Sequence, residues 1–155
     1  MAQPLDIRVS IAFGHVLLVV TDKGVLDSIV VDIPALRRIV GKIPLAEDKS
    51  AAGRLVFEVS GRGFAWSFNE RVAPRKPRRP RLDILAVRCA LEEKEMLIDV
   101  APERFFDDDH YRGYPAVLVR LEAIGEDELR GLLQEACRLT AAELAAKRRK
   151  RPSRR

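Results

Sequence analysis

The chain has 155 residues, with 28 Lys and Arg against 23 Asp and Glu, a formal net charge of +5 and only two cysteines. This length forms one domain with an adequate core, and the absence of CxxC or CxxH spacing excludes a disulfide framework or a zinc site. Asp6 and Arg8 precede any apolar run, and the run at 16–20 (VLLVV) is too short for a bilayer. We therefore expect a cytoplasmic protein with no membrane contact.

The positive charge is concentrated in two segments of the chain. Residues 75–81 (RKPRRPR) contain five Lys or Arg, and residues 147–155 (KRRKRPSRR) contain seven, with no acidic residue in either. Without those twelve, 16 basic residues stand against 23 acidic ones, a net charge of −7. A polyanion is therefore expected to bind the loop and the tail, not the folded body.

Residues 1–31 carry strand patterning. Apolar and other side chains alternate over 5–13, the period-two pattern of a half-buried strand, and second and third strands are predicted at 16–20 and 25–31. Two interpretations stay open for this segment. It is a genuine N-terminal β extension, which the alternation favours, or the start codon is assigned too far upstream and the protein begins near residue 30.

A helix is predicted after Asp32, which can cap it, with Pro34 tolerated in the first turn. Pro44 ends this helix, and residues 46–53 are interpreted as a polar linker. The apolar positions of one helical face are Leu36, Ile39, Val40 and Ile43.

A β-hairpin is predicted next, from two alternating runs at 55–60 and 64–69 joined by a tight turn at 61–63 (GRG). The side chains predicted to share one face of it are Phe64, Trp66 and Phe68.

The loop 70–81 then leads to another strand at 82–88. Its three prolines at positions 74, 77 and 80 are expected to keep it extended and outside any ladder, as a stiff cationic arm between two strands. The cations predicted to contact nucleic acid are Arg71, Arg75, Lys76, Arg78, Arg79 and Arg81 in the loop, and Lys147, Arg148, Arg149, Lys150 and Arg151 in the tail.

The rest of the chain is predicted as helix, loop, strand and helix. The strand is 116–121 (AVLVRL), and the last helix begins past Ile124 with acidic residues in its first turn. Residues 147–155 offer nothing apolar to bury and are expected to be disordered unless bound. A short helix within 89–101 is expected to place inward Leu91, Met96, Leu97 and Val100. The last helix repeats apolar residues at helical spacing at Leu129, Leu132, Leu133, Ala136, Leu139 and Leu144.

On its ordered motifs the chain resembles the MmcQ/YjbR-like proteins. The resemblance covers roughly the last four-fifths of the chain, and a domain is expected at 32–146. The strongest matching pieces are 102–106 (PERFF), 110–121 (HYRGYPAVLVRL), 127–129 (DEL) and the helix through Ala136 and Arg138. A weaker likeness extends upstream through 34–38 (PALRR), 43–44 (IP) and 57–65 (FEVSGRGFA).

This resemblance implies an α+β fold of two layers, in which an antiparallel sheet is covered by helices, similar to the secretion-chaperone-like fold. Many members of the family carry a DNA-binding label, and the resemblance implies no established reaction. In the same block, Gly113 is expected to permit a turn and Tyr114 to pack under the sheet.

The residues themselves give no support to an enzyme or a cofactor. Asp107, Asp108, Asp109 and His110 could in principle ligate a cation or act as acid and base, but consecutive side chains cannot all converge on one ion. We interpret them as a solvated acidic turn. His15 has no triad partner at recognisable spacing, and the glycines at 61–63 open no helix that could cradle a phosphate.

The function predicted from the sequence is therefore weak, sequence-independent binding of DNA or RNA through the loop and the tail. Two alternatives stay open. The basic runs could be solubilising segments without a ligand, or the domain could be a protein-interaction module by analogy with its implied fold. An exposed aromatic face on the hairpin favours the module, and burial of that face opposes it.

Overall fold

The computed structural model describes residues 31–150, so the predicted strands within 5–30 and the tail beyond residue 150 lie outside the described part. Within it, three helices, six strands and one short 3-10 helix alternate. In chain order these are α1 (Ile33–Gly41), β1 (Ala46–Asp48), β2 (Val56–Val59), β3 (Arg62–Glu70), β4 (Arg79–Arg88), α2 (Leu91–Val100), β5 (Phe105–Phe106), β6 (Ala116–Arg120), the 3-10 helix (Leu121–Ala123) and α3 (Glu126–Lys150).

All six strands form one antiparallel sheet in the order β1-β2-β3-β4-β6-β5. Helices α1 and α3 contribute to the main core together with the inward face of the sheet. Its largest fully buried members include Phe57, Phe64, Phe105, Leu36 and Leu129. The prediction of an α+β protein with helices over an antiparallel sheet is confirmed.

Helix α1 forms where the sequence predicts it. Asp32 is its N-cap, and its Oδ1 accepts a hydrogen bond from the backbone N–H of Ala35 at 2.7 Å. The predicted apolar face is buried as expected at Leu36, Ile39, Val40 and Ile43.

The capping bond of Asp32 gives a first prediction. Asp32→Ala should lower the free energy of unfolding by about 1 kcal/mol, because an orphan N–H at the first turn of α1 loses its acceptor. Asp32→Asn keeps an acceptor oxygen and should stay close to wild type. Urea denaturation of the three proteins measures both values, and an alanine variant as stable as wild type contradicts the capping role.

The predicted polar linker 46–53 is wrong in its first part, since Ala46–Asp48 forms the edge strand β1. It pairs with β2 in the register Ala46↔Val59, and Lys49 N–H donates to Val56 O at 2.9 Å. A short, charged segment is typical of an edge strand, where such residues block pairing with other chains. The polarity that predicted a linker is thus edge protection.

The β2–β3 hairpin is confirmed, but its turn lies one to two residues earlier than predicted. Ser60 and Gly61 occupy the turn with φ of 50° and 77°, between the paired residues Val59 and Arg62. Positive φ at both central residues is the geometry that matches strand twist in a two-residue hairpin loop.

The three hairpin aromatics do not share a face, which corrects the prediction. A β-bulge between the pairs Phe57↔Ala65 and Glu58↔Gly63 leaves Phe64 as the extra residue, and it is buried in the main core under the helices. Trp66 and Phe68 belong to a second cluster on the opposite face of the sheet. A bulge changes the in/out alternation, and period-two patterning does not reveal it.

This second cluster is closed by the segment between β5 and β6. Tyr111 from that segment is 6 % exposed, and Trp66 Nε1 donates to its hydroxyl at 2.9 Å. The members of the cluster are Phe68, Ile84, Ala86, Tyr111, Ala116 and Leu118, with Trp66 and Phe106 packed against them.

Candidate nucleic-acid interface

The basic arm is a projecting β-hairpin. Strand β2 pairs with β3 only as far as Trp66, and β6 pairs with β4 only from Ile84 onwards. The last rungs of β3 and β4, from Phe68↔Arg81 to Glu70↔Arg79, therefore have no further sheet partner among the described residues. The hairpin thus extends past its flanking strands, and only Phe68 of these rungs belongs to the second cluster.

The arm is more ordered than the extended loop predicted for 70–81. The strands reach Glu70 and Arg79, so the connection shrinks to residues 71–78. Pro80 lies within the ladder opposite Asn69, which corrects the expectation that all three prolines stay outside it. A proline is tolerated there because, within residues 31–150, no strand pairs with the other side of β4 at that level.

A tight turn forms the tip of the connection. Lys76 N–H donates to Ala73 O at 3.2 Å, Pro74 takes the second turn position, and Arg75 the third with φ of 68°. Positive φ at the third position is the requirement of a type II turn, where glycine is usual. A shallow concavity beside this turn is lined by Val72, Lys76, Pro77 and Arg79.

Most of the predicted loop cations are presented to solvent. Arg78 is half-buried, and of the six predicted loop cations all except Arg81 form no ion pair with another residue of the range 31–150. Their charge is thus uncompensated within the described fold. The exposed members are Arg71, Arg75, Lys76 and Arg79.

Arg81 is engaged differently from the other loop cations. Its Nε donates to Asp83 Oδ1 at 2.8 Å, and its Nη1 lies 3.3 Å from a carboxylate oxygen of Glu70. Hydrogen bonds to Asp83 and Glu70 raise the pKa of Arg81 above its ordinary value, and Arg81 lowers the pKa of Asp83. The predicted phosphate contact by Arg81 is unsupported because two carboxylates already neutralise it at the base of the hairpin.

The start of the predicted tail is helical. Helix α3 continues through Lys147–Lys150, which corrects the expectation of disorder for these four residues, and all four are exposed. Cations in a last helical turn compensate the negative end of the helix dipole, so they extend the helix without burying anything. Arg151, the remaining predicted contact of the tail, lies outside the described residues.

The loop and the basic helix end lie at opposite ends of the sheet. Glu143 of α3 pairs with Arg62 at the start of β3 at 3.2 Å, whereas the loop follows Glu70 at the end of β3. Near its own beginning, α3 pairs with Arg104 through Glu128 at 2.8 Å. The helix therefore runs away from the loop, and the two basic segments are separated by roughly 30–35 Å along β3 and the last helical turns.

The prediction of a solvated acidic turn is only partly correct, because Asp107 and Asp108 are half-buried and only Asp109 and His110 are exposed. Asp108 Oδ1 accepts from the N–H groups of His110 and Tyr111, both at 3.0 Å, and His110 is exposed. Over residues 31–150 no group of three or more His, Cys, Asp or Glu could hold a metal ion. Tyr114 is 40 % exposed, so the prediction that it packs under the sheet is wrong, and Tyr111 is the buried tyrosine.

Sequence reasoning missed Lys94, which is 3 % exposed. Its Nζ donates to the carbonyls of Tyr111 at 2.6 Å and Tyr114 at 3.2 Å, and lies 2.8 Å from Asp107 Oδ2. The lysine thus ties α2 to the segment that closes the second cluster. A buried ammonium with these partners is satisfied in the way a buried charge requires.

The orientation of α2 follows from the same lysine. Of the residues predicted to face inward, only Leu97 packs against the core, while Leu91, Met96 and Val100 are 41 %, 57 % and 75 % exposed. The residues of the buried face recur at helical spacing, and this spacing could have predicted which side of α2 faces the core. Its members are Lys94, Leu97, Ile98 and Ala101.

Both cysteines are free and buried. Burial raises the pKa of the Cys89 thiol to about 12, and burial also raises the pKa of Cys137. Thiols held protonated in this way are poor nucleophiles at neutral pH.

The described residues form a two-layer α+β protein with a projecting cationic hairpin. The chain belongs to the YjbR family, whose model matches residues 42–139. It is similar to the uncharacterized proteins Rv2570 of Mycobacterium tuberculosis and Mb2600 of Mycobacterium bovis, each 35 % identical over 106 residues, or 64 % of this chain and 80 % of the relative.

A crystal structure with the same fold is that of Deinococcus radiodurans protein DR2400, which has a DUF419 domain. The match has a TM-score of 0.50 at 20 % identity and covers 68 % of this chain and 75 % of the other. At this identity the likeness concerns the fold alone. Among the described residues, no helix is both long and apolar enough to span a membrane.

Proposed function

We propose that this protein is a non-enzymatic, cytoplasmic nucleic-acid-binding protein that contacts the phosphates of DNA or RNA weakly and without sequence preference. The contacts come from the loop cations Arg71, Arg75, Lys76, Arg78 and Arg79, with the end of α3 and the tail beyond it as a second, separate contact.

The observation that carries this proposal is the projecting hairpin. It presents five cations, none of them paired to a carboxylate within residues 31–150, past its flanking strands on a body with net negative charge. Such cations can approach phosphates without first breaking an ion pair, and binding then gains from counterion release. Arg81 instead pairs with Glu70 and Asp83 at the base of the hairpin.

Sequence-independent binding follows from what the helices present. The first turn of α3 carries Glu126, Asp127 and Glu128, which repel phosphate at the end where a helix would otherwise attract it. A helix that reads base edges in a major groove bears Arg, Asn or Gln side chains that are free to reach the bases. Helix α1 presents Arg37 and Arg38 beside carboxylates, since Arg37 Nε lies 3.4 Å from Asp48 and Arg38 lies 3.9 Å from Glu126.

The alternative is a protein-interaction module. The hairpin aromatics give it little support, because Phe64 and Phe68 are 0 % and 5 % exposed. One observation does favour it, the exposed pair Met96 and Val100, which are adjacent on one face of α2. Failure of nucleic-acid binding would direct attention to that pair.

Fluorescence anisotropy of a labelled random duplex tests the proposal. The wild type is compared with a loop-neutral variant, in which Arg71, Arg75, Lys76, Arg78 and Arg79 are all replaced by glutamine. Binding should depend on the replaced charges, and equal affinity of the two proteins contradicts the proposal.

The separation of the two basic segments predicts a dependence on duplex length. Deleting residues 147–155 should weaken binding to a 24-base-pair duplex about tenfold. It should weaken binding to a hairpin-capped duplex of about 8 base pairs less than threefold, because one full turn of duplex measures about 34 Å and the shorter duplex cannot reach both basic segments. The fold should survive, since the buried residues of α3 end at Thr140. An equal loss on both duplexes contradicts the opposed placement.

A further inference from the structure

The geometry of the second sheet face points to a site for an unpaired base. We propose that Trp66, Tyr114 and Arg88 bind single-stranded DNA or RNA by stacking a base on the tyrosine and pairing the neighbouring phosphate with the guanidinium. This inference deepens the proposed function and rests on it, because the loop cations supply the attraction that brings the strand to the face.

Arg88 is the charged member of this site. Its guanidinium carbon lies 5.7 Å from the ring centroid of Trp66 and 5.9 Å from that of Tyr114. Its Nε donates to Gly63 O at 2.7 Å, and its Nη2 donates to the Tyr114 hydroxyl at 3.3 Å. No carboxylate within residues 31–150 forms an ion pair with it, so its charge is available to an anion.

The aromatic members are held rigidly. Trp66 and Tyr114 meet edge to face at 6.3 Å and 75°, and Tyr111 meets Tyr114 at 5.9 Å and 90°. The indole N–H is fixed by the Tyr111 hydroxyl at 2.9 Å. A ligand therefore meets rings that lose little rotamer freedom on binding, and Tyr114 remains 40 % exposed to receive it.

Lys94 fixes the backbone of the segment that carries the two tyrosines. Its ammonium donates hydrogen bonds to the carbonyls of Tyr111 and Tyr114, at 2.6 and 3.2 Å. The segment that carries the two tyrosines is thereby fixed to α2. The buried lysine is a positioning residue for the site.

The cluster is continuous with the basic loop. Phe68 of the second cluster pairs in the ladder with Arg81, where β4 begins to return from the loop. Trp66 lies four residues before the end of β3 at Glu70, or about 13 Å along the strand. One strand of nucleic acid can reach both places.

These features favour an unpaired base over a duplex. Aromatic rings flanked by arginine bind bases through their π-faces, and each stacked base contributes about 1–3 kcal/mol by alanine substitution. A duplex keeps its bases stacked on each other and offers no free π-face. Duplex binding should therefore use the loop and leave the aromatic face untouched.

Tryptophan fluorescence tests the proposal directly, because Trp66 is the only tryptophan of the chain. Titration of the full chain with a 12-nucleotide oligothymidylate should quench this fluorescence saturably, and a duplex of equal length should not, although anisotropy shows it bound. Tyr114→Ala should weaken single-strand binding at least about fivefold and duplex binding less than twofold. Tyr114→Phe keeps the ring and should stay within twofold of wild type on both ligands.

Arg88→Lys gives a second variant that retains charge and loses the planar, stacked group, and it should weaken single-strand binding about threefold or more. The site is overturned if oligothymidylate leaves the fluorescence unchanged, or if neither variant alters single-strand affinity. The loop-neutral variant separates the two proposals. If the loop-neutral variant binds the duplex as tightly as wild type, only the proposed phosphate contact by the loop is contradicted. If duplex binding depends on the loop but oligothymidylate does not quench the tryptophan fluorescence, only the aromatic site is contradicted.

Discussion

Lys94→Met should lower the free energy of unfolding by about 2–4 kcal/mol. The change removes the ammonium that satisfies two backbone carbonyls and Asp107, and it leaves those acceptors in a site where Lys94 is 3 % exposed. The expected loss in free energy of unfolding is smaller than for a fully buried ion pair, because the Asp107 side chain is 29 % exposed and can be partly hydrated. Urea denaturation monitored by circular dichroism gives the value.

The matched control for this loss is Lys49→Met. Lys49 also pairs with a carboxylate, Glu47 at 2.6 Å, but its side chain is 54 % exposed, and an exposed pair of this kind contributes little. Lys49→Met should change the free energy of unfolding by less than about 0.5 kcal/mol. Equal effects of the two substitutions would show that Lys94 is not the tie between α2 and the segment closing the second cluster.

The loop-neutral variant should bind a 24-base-pair duplex about 100- to 1,000-fold more weakly than wild type at low salt, because several phosphate contacts are lost together. Glutamine is chosen since it keeps an unbranched polar side chain without the charge and, at the positive φ of Arg75, changes the backbone preference little. Thermal unfolding should match wild type, as these side chains form no ion pairs within the described residues.

A control variant with the same change in net charge separates local contact from overall attraction. Five exposed cations elsewhere on the fold are replaced by glutamine, and its duplex affinity should stay within about tenfold of wild type. A loss as large as that of the loop-neutral variant contradicts a localised site. The control positions are Arg37, Lys42, Arg54, Arg112 and Arg138.

Much of the fold was predictable because local signals and tertiary packing agree. Helix α1 has a capping Asp32, a tolerated Pro34 and one apolar face, and strand β6 has a continuous apolar run that is buried as expected. Resemblance to the YjbR family then supplied the arrangement that no local pattern contains. Such elements can be predicted from the sequence because their local conformational preferences agree with the packing of the whole fold.

The errors have distinct physical causes. The bulge at Phe64 reverses the in/out alternation without any change in composition, so a period-two pattern cannot detect it. Lys94 was left out of the predicted inward face because lysine is rarely buried, although its spacing with Leu97 and Ile98 belongs to the buried face. Arg81 was counted with the loop cations because its two carboxylate partners are defined only once β3 and β4 pair.

The candidate site was partly predictable. The loop cations are obvious from composition, but their projection beyond the sheet depends on where β2 and β6 stop pairing. The proposed aromatic site was not predicted, because Tyr114 was expected to pack under the sheet and Trp66 was placed only on one face of the hairpin. Their approach to each other and to Arg88 joins three parts of the chain that no local pattern connects.

The salt dependence of duplex binding tests the central claim most directly. Anisotropy titrations across a salt series give the slope of log affinity against log salt for each protein. For wild type this slope should be about −4 to −6. For the loop-neutral variant it should be shallower by about 3 to 4, since each phosphate contact contributes about −0.9. Equal slopes, or a wild type that does not bind even at low salt, would contradict phosphate contact by the hairpin loop.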